Sequence, residues 1–176
     1  MNYKEINVEV MISAEEIQKR IKELARELEK DYAGKELVCV GLLKGSIMFM
    51  ADLLKEVNLP LVMDFMKVSS YHGGKDSTGV VKILKDVDLD ISGKNILIIE
   101  DIIDTGLTLQ YVKNFLASKK PNEVKVCSLL DKPSRRKVEM VGEYIGFEIP
   151  DEFVLGYGLD YDEYYRNLPF VGKVKQ

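Results

Sequence analysis

The 176-residue chain predicts an α/β fold, a mostly parallel sheet flanked by helices. Three observations carry that expectation. The stretch 95–108, NILIIEDIIDTGLT, opens on an apolar run without polar alternation, the mark of an inner strand covered on both faces. The residues that follow, Leu107 to Ser118, carry Leu109, Val112, Phe115 and Leu116 at helical spacing with no proline among them. The same succession of buried strand, short turn and amphipathic helix occurs earlier in the chain, and that alternation builds parallel sheets through crossover connections.

The elements follow in order. Ser13-Ala14-Glu15-Glu16 reads as a capping box, and Ile17, Ile21, Leu24 and Leu28 continue one apolar helical face until a stop near Gly34. Residues 37–43 form a buried strand, and 46–57 a helix with Ile47, Met50, Leu53 and Leu54 on one side. Residues 61–68 read as the next strand. The polar stretch 69–78, with Gly73 and Gly74, then leads back to a strand pattern over 80–84, so the whole reads as a long hairpin-like flap. Residues 96–99 are the central strand, and 124–130 close the inner sheet. The tail from Val138 supplies short strands and loops around Tyr144, Phe147, Val154 and Leu159. With neither internal repeat nor linker, residues 1–176 are expected to form a single domain.

Composition narrows the function classes. Hydrophobic residues make up 46% and charged residues 31%, without a low-complexity block, as in ordinary globular proteins. The net charge of -4 supplies no global field for polyanions, so no nucleic-acid partner is expected. The first residues, MNYKEINVEV, have neither a basic start before an apolar core nor an Arg-rich amphipathic pattern, and no apolar run approaches about 20 residues. A cytoplasmic protein without membrane association is the expectation. Cys39 and Cys127 lie in strand-like runs and have no CxxC partner, so both read as buried free thiols. His72, the only histidine, lacks the partners that a metal or triad role needs.

The chemistry concentrates after the central strand. In an open α/β sheet, ligands sit beyond the carboxyl ends of the strands, where helix N-termini offer unpaired amides. The loop Asp104-Thr105-Gly106-Leu107-Thr108 holds that place. Gly106 lets the backbone curl toward a ligand, and the two threonine hydroxyls can donate to phosphate oxygens, which makes a phosphomonoester cradle. The pattern GxxxxGK[ST] is absent, and Gly156-Tyr157-Gly158 lacks the third glycine of a dinucleotide fingerprint, so an NTPase or dehydrogenase is disfavoured. Glu100 and Asp101 would repel each other unless something positive or hydroxyl-rich lay between them. A ribose diol with Mg²⁺ meets that need.

The segment IIEDIIDTGLT resembles the phosphoribosyl-pyrophosphate motif of the type I phosphoribosyltransferases. Three further segments, Leu43-Lys44-Gly45-Ser46, Leu130-Asp131-Lys132-Pro133 and the run FVLGYGLDY at 153–161, are similar to those of the hypoxanthine-guanine members, in matching order. The resemblance runs from the first helix to Phe170. It implies a mostly parallel five-stranded core sheet flanked by helices, with a small hood formed by the N-terminal segment and the C-terminal strands. It also implies Mg²⁺-dependent transfer of the 5-phosphoribosyl group from phosphoribosyl pyrophosphate to N9 of hypoxanthine or guanine, yielding IMP or GMP and pyrophosphate.

Roles follow from the same resemblance, position by position. Glu100 and Asp101 would hold the ribose hydroxyls and, with Asp160, the metal. Asp104 would be the general base at the purine N7, and Asp104, Thr105, Gly106, Leu107 and Thr108 would cradle the 5-phosphate. Lys44, Gly45 and Arg166 would bind pyrophosphate, with the Leu43–Lys44 peptide cis. Lys132 would donate to the purine 6-oxo group, Phe153 would stack on the base and the Val154 backbone would read its edge. Ser70 and Tyr71 would belong to a mobile flap that excludes water. Apolar helix surfaces suggest association into a homodimer or homotetramer. A non-catalytic regulator on the same fold would need no general base and no purine-reading lysine, and this chain has residues for both.

Overall fold

The structure is a computed structural model and describes residues 6–70 and 81–175. Its main sheet has six strands in the order β4-β3-β2-β5-β6-β7. These are β2 (Leu37–Leu43), β3 (Leu61–Ser70), β4 (Val81–Lys85), β5 (Asn95–Ile103), β6 (Glu123–Asp131) and β7 (Tyr144–Glu148). Five of them run parallel, and β4 joins the β3 edge antiparallel, one strand more than the resemblance implies. The flap thus begins as a true β3–β4 pair. Tyr71 lies outside the described residues, and Ser70 is the last residue of β3.

The apolar runs form inner strands because both faces are covered. On β5, Leu97 and Ile99 point into one core with α1 (Ala14–Asp31) and α2 (Ile47–Glu56). Ile96 and Ile98 point into a second core with α3 (Leu107–Ser118). On β2, Cys39 faces the first core while Val38 and Val40 face the second. Alternate residues are therefore apolar for different partners, which is why the sequence shows no alternation. Cys39 and Cys127 are both fully buried free thiols, and desolvation pushes the Cys39 thiol up to about 12, which keeps it protonated and inert.

The α1 helix starts as its sequence signals. The Ser13 side chain accepts from the Glu16 amide at 3.2 Å, and Glu16 accepts from the Ser13 amide at 2.8 Å. Its buried stripe is Ile17, Ile21, Leu24, Ala25 and Leu28. A second, antiparallel sheet joins β1 (Val8–Ile12), β9 (Val171–Val174) and β8 (Val154–Leu155) in that order. It brings residues distant in sequence together and contributes Ile12, Val154 and Val171 to the first core.

The strand order also positions the site. From β2 the chain passes to β3 on one side, while β5 pairs with the other side of β2. The loops at the carboxyl ends of β2 and β5 therefore open side by side at a topological switch point, where a crevice forms in α/β sheets.

Candidate active site

Strand β5 is longer than the apolar run alone predicts, since it continues through Glu100 and Asp101 to Ile103. The acids are not a strand end at the solvent edge. Pairing with β6 continues past them, with Glu100 opposite Ser128 and Ile103 opposite Asp131, and both carboxylates are half-buried. Burial, and then the negative charge of neighbouring Asp101, hold the Glu100 carboxyl well above the usual carboxylate range. A cation at this edge would reverse that balance. The pair thus fits a magnesium ion that takes few protein oxygens and completes its shell with water and substrate. Among the described residues no cluster of three or more acids, histidines or cysteines could hold a metal alone.

Directly after β5, the loop from Asp104 to Gly106 turns into α3. Gly106 is the N-cap in a left-handed conformation, φ 81°, and no side chain caps the helix there. Apart from the Leu107 amide, which donates to Thr105 Oγ1 at a long 3.4 Å, the first-turn amides are left for an anion. A pocket of about 210 Å³ opens on this turn, lined by Glu100, Asp104, Thr105, Gly106 and Thr108 among others. The five loop residues of the sequence motif therefore lie at one helix N-terminus beside one carboxylate pair.

Two residues that the motif reading missed brace this loop. Arg136 donates from Nη1 to the carbonyls of Ile103, at 2.8 Å, and Asp104, from Nε to Met140 O at 2.9 Å, and pairs through Nη2 with Asp131. The amides of Lys132 and Lys137 donate to Ile103 O and Thr105 O, both at 2.9 Å. Arg135 reaches the Asp104 carboxylate from the front, Nε to Oδ1 at 3.2 Å, with Asp151 3.6 Å from its Nη1. The sequence signal was the basic doublet Arg135-Arg136 directly after Lys132-Pro133-Ser134. Replacing Arg136 by Met leaves Asp131 unpaired and two carbonyls without donors, so a loss of about 3 kcal/mol is expected. Chemical denaturation of the variant measures it; a midpoint equal to that of the parent protein would remove the bracing role.

Lys132 is not a solvated surface lysine. Its side chain is 7% exposed and Nζ donates to Glu152 O, beside the segment that carries Phe153. Phe153, 55% exposed, presents its ring edge-on to Tyr161 at 5.6 Å, while Val154 is buried in β8. A held ammonium thus lies beside the segment that carries an exposed aromatic ring.

On the β2 side, the Leu43–Lys44 peptide is cis. The backbone here is packed too closely for side chains. A Cβ on Gly45 would lie 1.5 Å from Asp101 Oδ2, and one on Gly158 would lie 2.0 Å from the Gly45 carbonyl oxygen. Three segments far apart in sequence are thereby pressed together. Asp160 does not stand as a free ligand: Oδ1 pairs with Arg166 Nη2 at 2.9 Å and Oδ2 accepts from the Glu163 amide at 2.9 Å. Arg166 also donates to Gly158 O at 2.8 Å, and Lys44 Nζ pairs with Glu163 at 2.6 Å.

Comparison with known proteins places this arrangement. Residues 12–162 match the family model for the phosphoribosyl transferase domain. The chain is 56% identical over 167 residues to the hypoxanthine-guanine phosphoribosyltransferase of Staphylococcus aureus, covering 95% of this chain and 93% of that protein. It superposes on a crystal structure of a hypoxanthine phosphoribosyltransferase from Staphylococcus aureus with a TM-score of 0.92, at 56% identity and over 95% of this chain and 91% of that one. A hypoxanthine-guanine phosphoribosyltransferase structure from Bacillus anthracis also gives 0.92, at 49% identity, covering 97% of this chain and all of the other.

Proposed function

The chain belongs to the phosphoribosyl transferase family, and from that membership we propose that it transfers the 5-phosphoribosyl group of phosphoribosyl pyrophosphate to N9 of hypoxanthine or guanine, giving IMP or GMP and pyrophosphate. It is an enzyme of purine salvage. The observation that carries the base assignment is the buried Lys132 held by Glu152 O beside exposed Phe153 and next to the Asp104 loop. An ammonium fixed there donates to a 6-oxo group and has nothing to offer the 6-amino group of adenine.

Each element then has a task. The α3 N-terminus, from Asp104 to Thr108, binds the 5-phosphate, and Glu100 with Asp101 orients the ribose hydroxyls and sets negative potential beside the ring carbon as it gains positive charge. Asp104 accepts the proton at N7, within reach of the base that Phe153 stacks and the Val154 backbone reads. Lys44, Gly45 and Arg166 receive the pyrophosphate. Glu100 and Asp101, and Asp160 once released from Arg166 and the Glu163 amide, would hold Mg²⁺, which supplies charge neutralisation of the departing pyrophosphate. Ser70 and Tyr71 would serve, as the resemblance implies, in a flap that excludes water.

No described helix is long and apolar enough to cross a membrane. Exposed Ile47 and Met63 line an apolar hollow of about 500 Å³ between α2 and β3. Such a patch supports association into a homodimer or homotetramer.

The test is nucleotide formation with phosphoribosyl pyrophosphate and Mg²⁺ on hypoxanthine, guanine, xanthine, adenine and uracil side by side. Product from the first two, and none from adenine or uracil, is expected. Turnover of uracil or adenine would overturn the base assignment, and donor binding without turnover on any base would overturn the activity.

A further inference from the structure

The two cations assigned above to pyrophosphate are already joined by one carboxylate. Glu163 Oε2 lies 2.6 Å from Lys44 Nζ and 3.6 Å from Arg166 Nη2, bridging segments that are 119 residues apart in the chain. The backbone is shaped to put it there. Asp162 and Glu163 both stand in the left-handed region, φ 53° and 69°, a conformation costly for residues with a Cβ and retained where surroundings demand it. That turn sends the Glu163 amide to Asp160 Oδ2, and the side chain reaches out over Lys44. Glu163 is 65% exposed and Lys44 52%, so the pair competes with water and is weak enough for a ligand to break.

We propose that Glu163 is an internal stand-in for pyrophosphate: its carboxylate occupies the subsite between Lys44 and Arg166, the donor must displace it, and it therefore sets donor affinity. The inference rests on the assignment of Lys44 and Arg166 to pyrophosphate. With Asp160, which also pairs with Arg166, Glu163 keeps the empty subsite neutral and holds the two cations near each other. The cost is competition, because every donor or pyrophosphate molecule must break two ion pairs before making its own.

The sign of the effect distinguishes this role from a structural one. Calorimetric titration of magnesium pyrophosphate into the full chain and into Glu163→Gln should show binding to the variant tightened about two- to fivefold, the range of an exposed ion pair. GMP, which has no group for this subsite, should bind both proteins equally and serves as the check on folding. Unchanged or weaker pyrophosphate binding by the variant, with GMP unaffected, would overturn the inference and leave the subsite assignment standing. Equal tightening of both ligands would also overturn it, since it would mark a general charge effect. No pyrophosphate binding by the parent protein would remove the subsite assignment itself, and the inference with it.

Discussion

Asp104→Asn is expected to lower turnover about 10²–10⁴-fold, the usual range for removal of a general base, while the affinity for phosphoribosyl pyrophosphate stays near that of the parent enzyme. Both halves of the result follow from where the residue stands. The backbone of Asp104 is held by Arg136 and belongs to the phosphate turn, whereas its carboxylate faces out to Arg135. Asparagine preserves the shape, the turn and the first helical amides, so the donor finds the same cradle. It removes the proton acceptor. Steady-state turnover together with equilibrium donor binding measures the two halves separately. Near-normal turnover would remove the base assignment, and a matching collapse of donor affinity would make Asp104 a binding residue instead.

The second large effect is expected on stability, at Gly158→Ala. The backbone there has φ 101°, a region open to glycine, and the added methyl would fall 2.0 Å from the carbonyl oxygen of Gly45. The obstacle is main chain, and Gly45 cannot retreat because it already lies against the Asp101 side chain. A loss of about 3 kcal/mol or more is expected, and for a chain of this size about 2–4 °C per kcal/mol, so the midpoint should drop by roughly 6–12 °C. Gly34→Ala is the reference: its φ of 72° is also left-handed, but nothing lies within 4 Å, and only the conformational cost of about 1–2 kcal/mol remains. Thermal unfolding of the two variants separates crowding from conformation. Equal midpoints would mean that the loops from β2 and the 157–165 segment are not in rigid contact.

Much of this architecture is readable from residues alone, and the reasons are local. The capping box at Ser13, the apolar stripe of α1 and the buried runs of β2, β5 and β6 report directly on neighbours a few residues away. The Asp104–Thr108 turn is readable because its chemistry is contiguous. What escapes is whatever depends on distant segments meeting. The half-burial of Glu100 and Asp101 needs β6 alongside, and the burial of Lys132 needs Glu152 to fold over it. Arg135 and Arg136 look like ordinary surface charges until the 132–137 loop is laid against the end of β5. Likewise, the joining of Lys44 to Glu163 depends on the left-handed turn at 162–163, which no propensity favours.

One nucleotide is expected to join the α3 N-terminus to the Lys132–Phe153 wall, and a crystal structure of the full chain with IMP bound would show it. The 5-phosphate is expected on the amides of residues 105–108, the purine against the Phe153 ring, O6 within hydrogen-bonding distance of Lys132 Nζ and N7 facing Asp104. A phosphate bound elsewhere, or a base with its O6 turned away from Lys132, would contradict it.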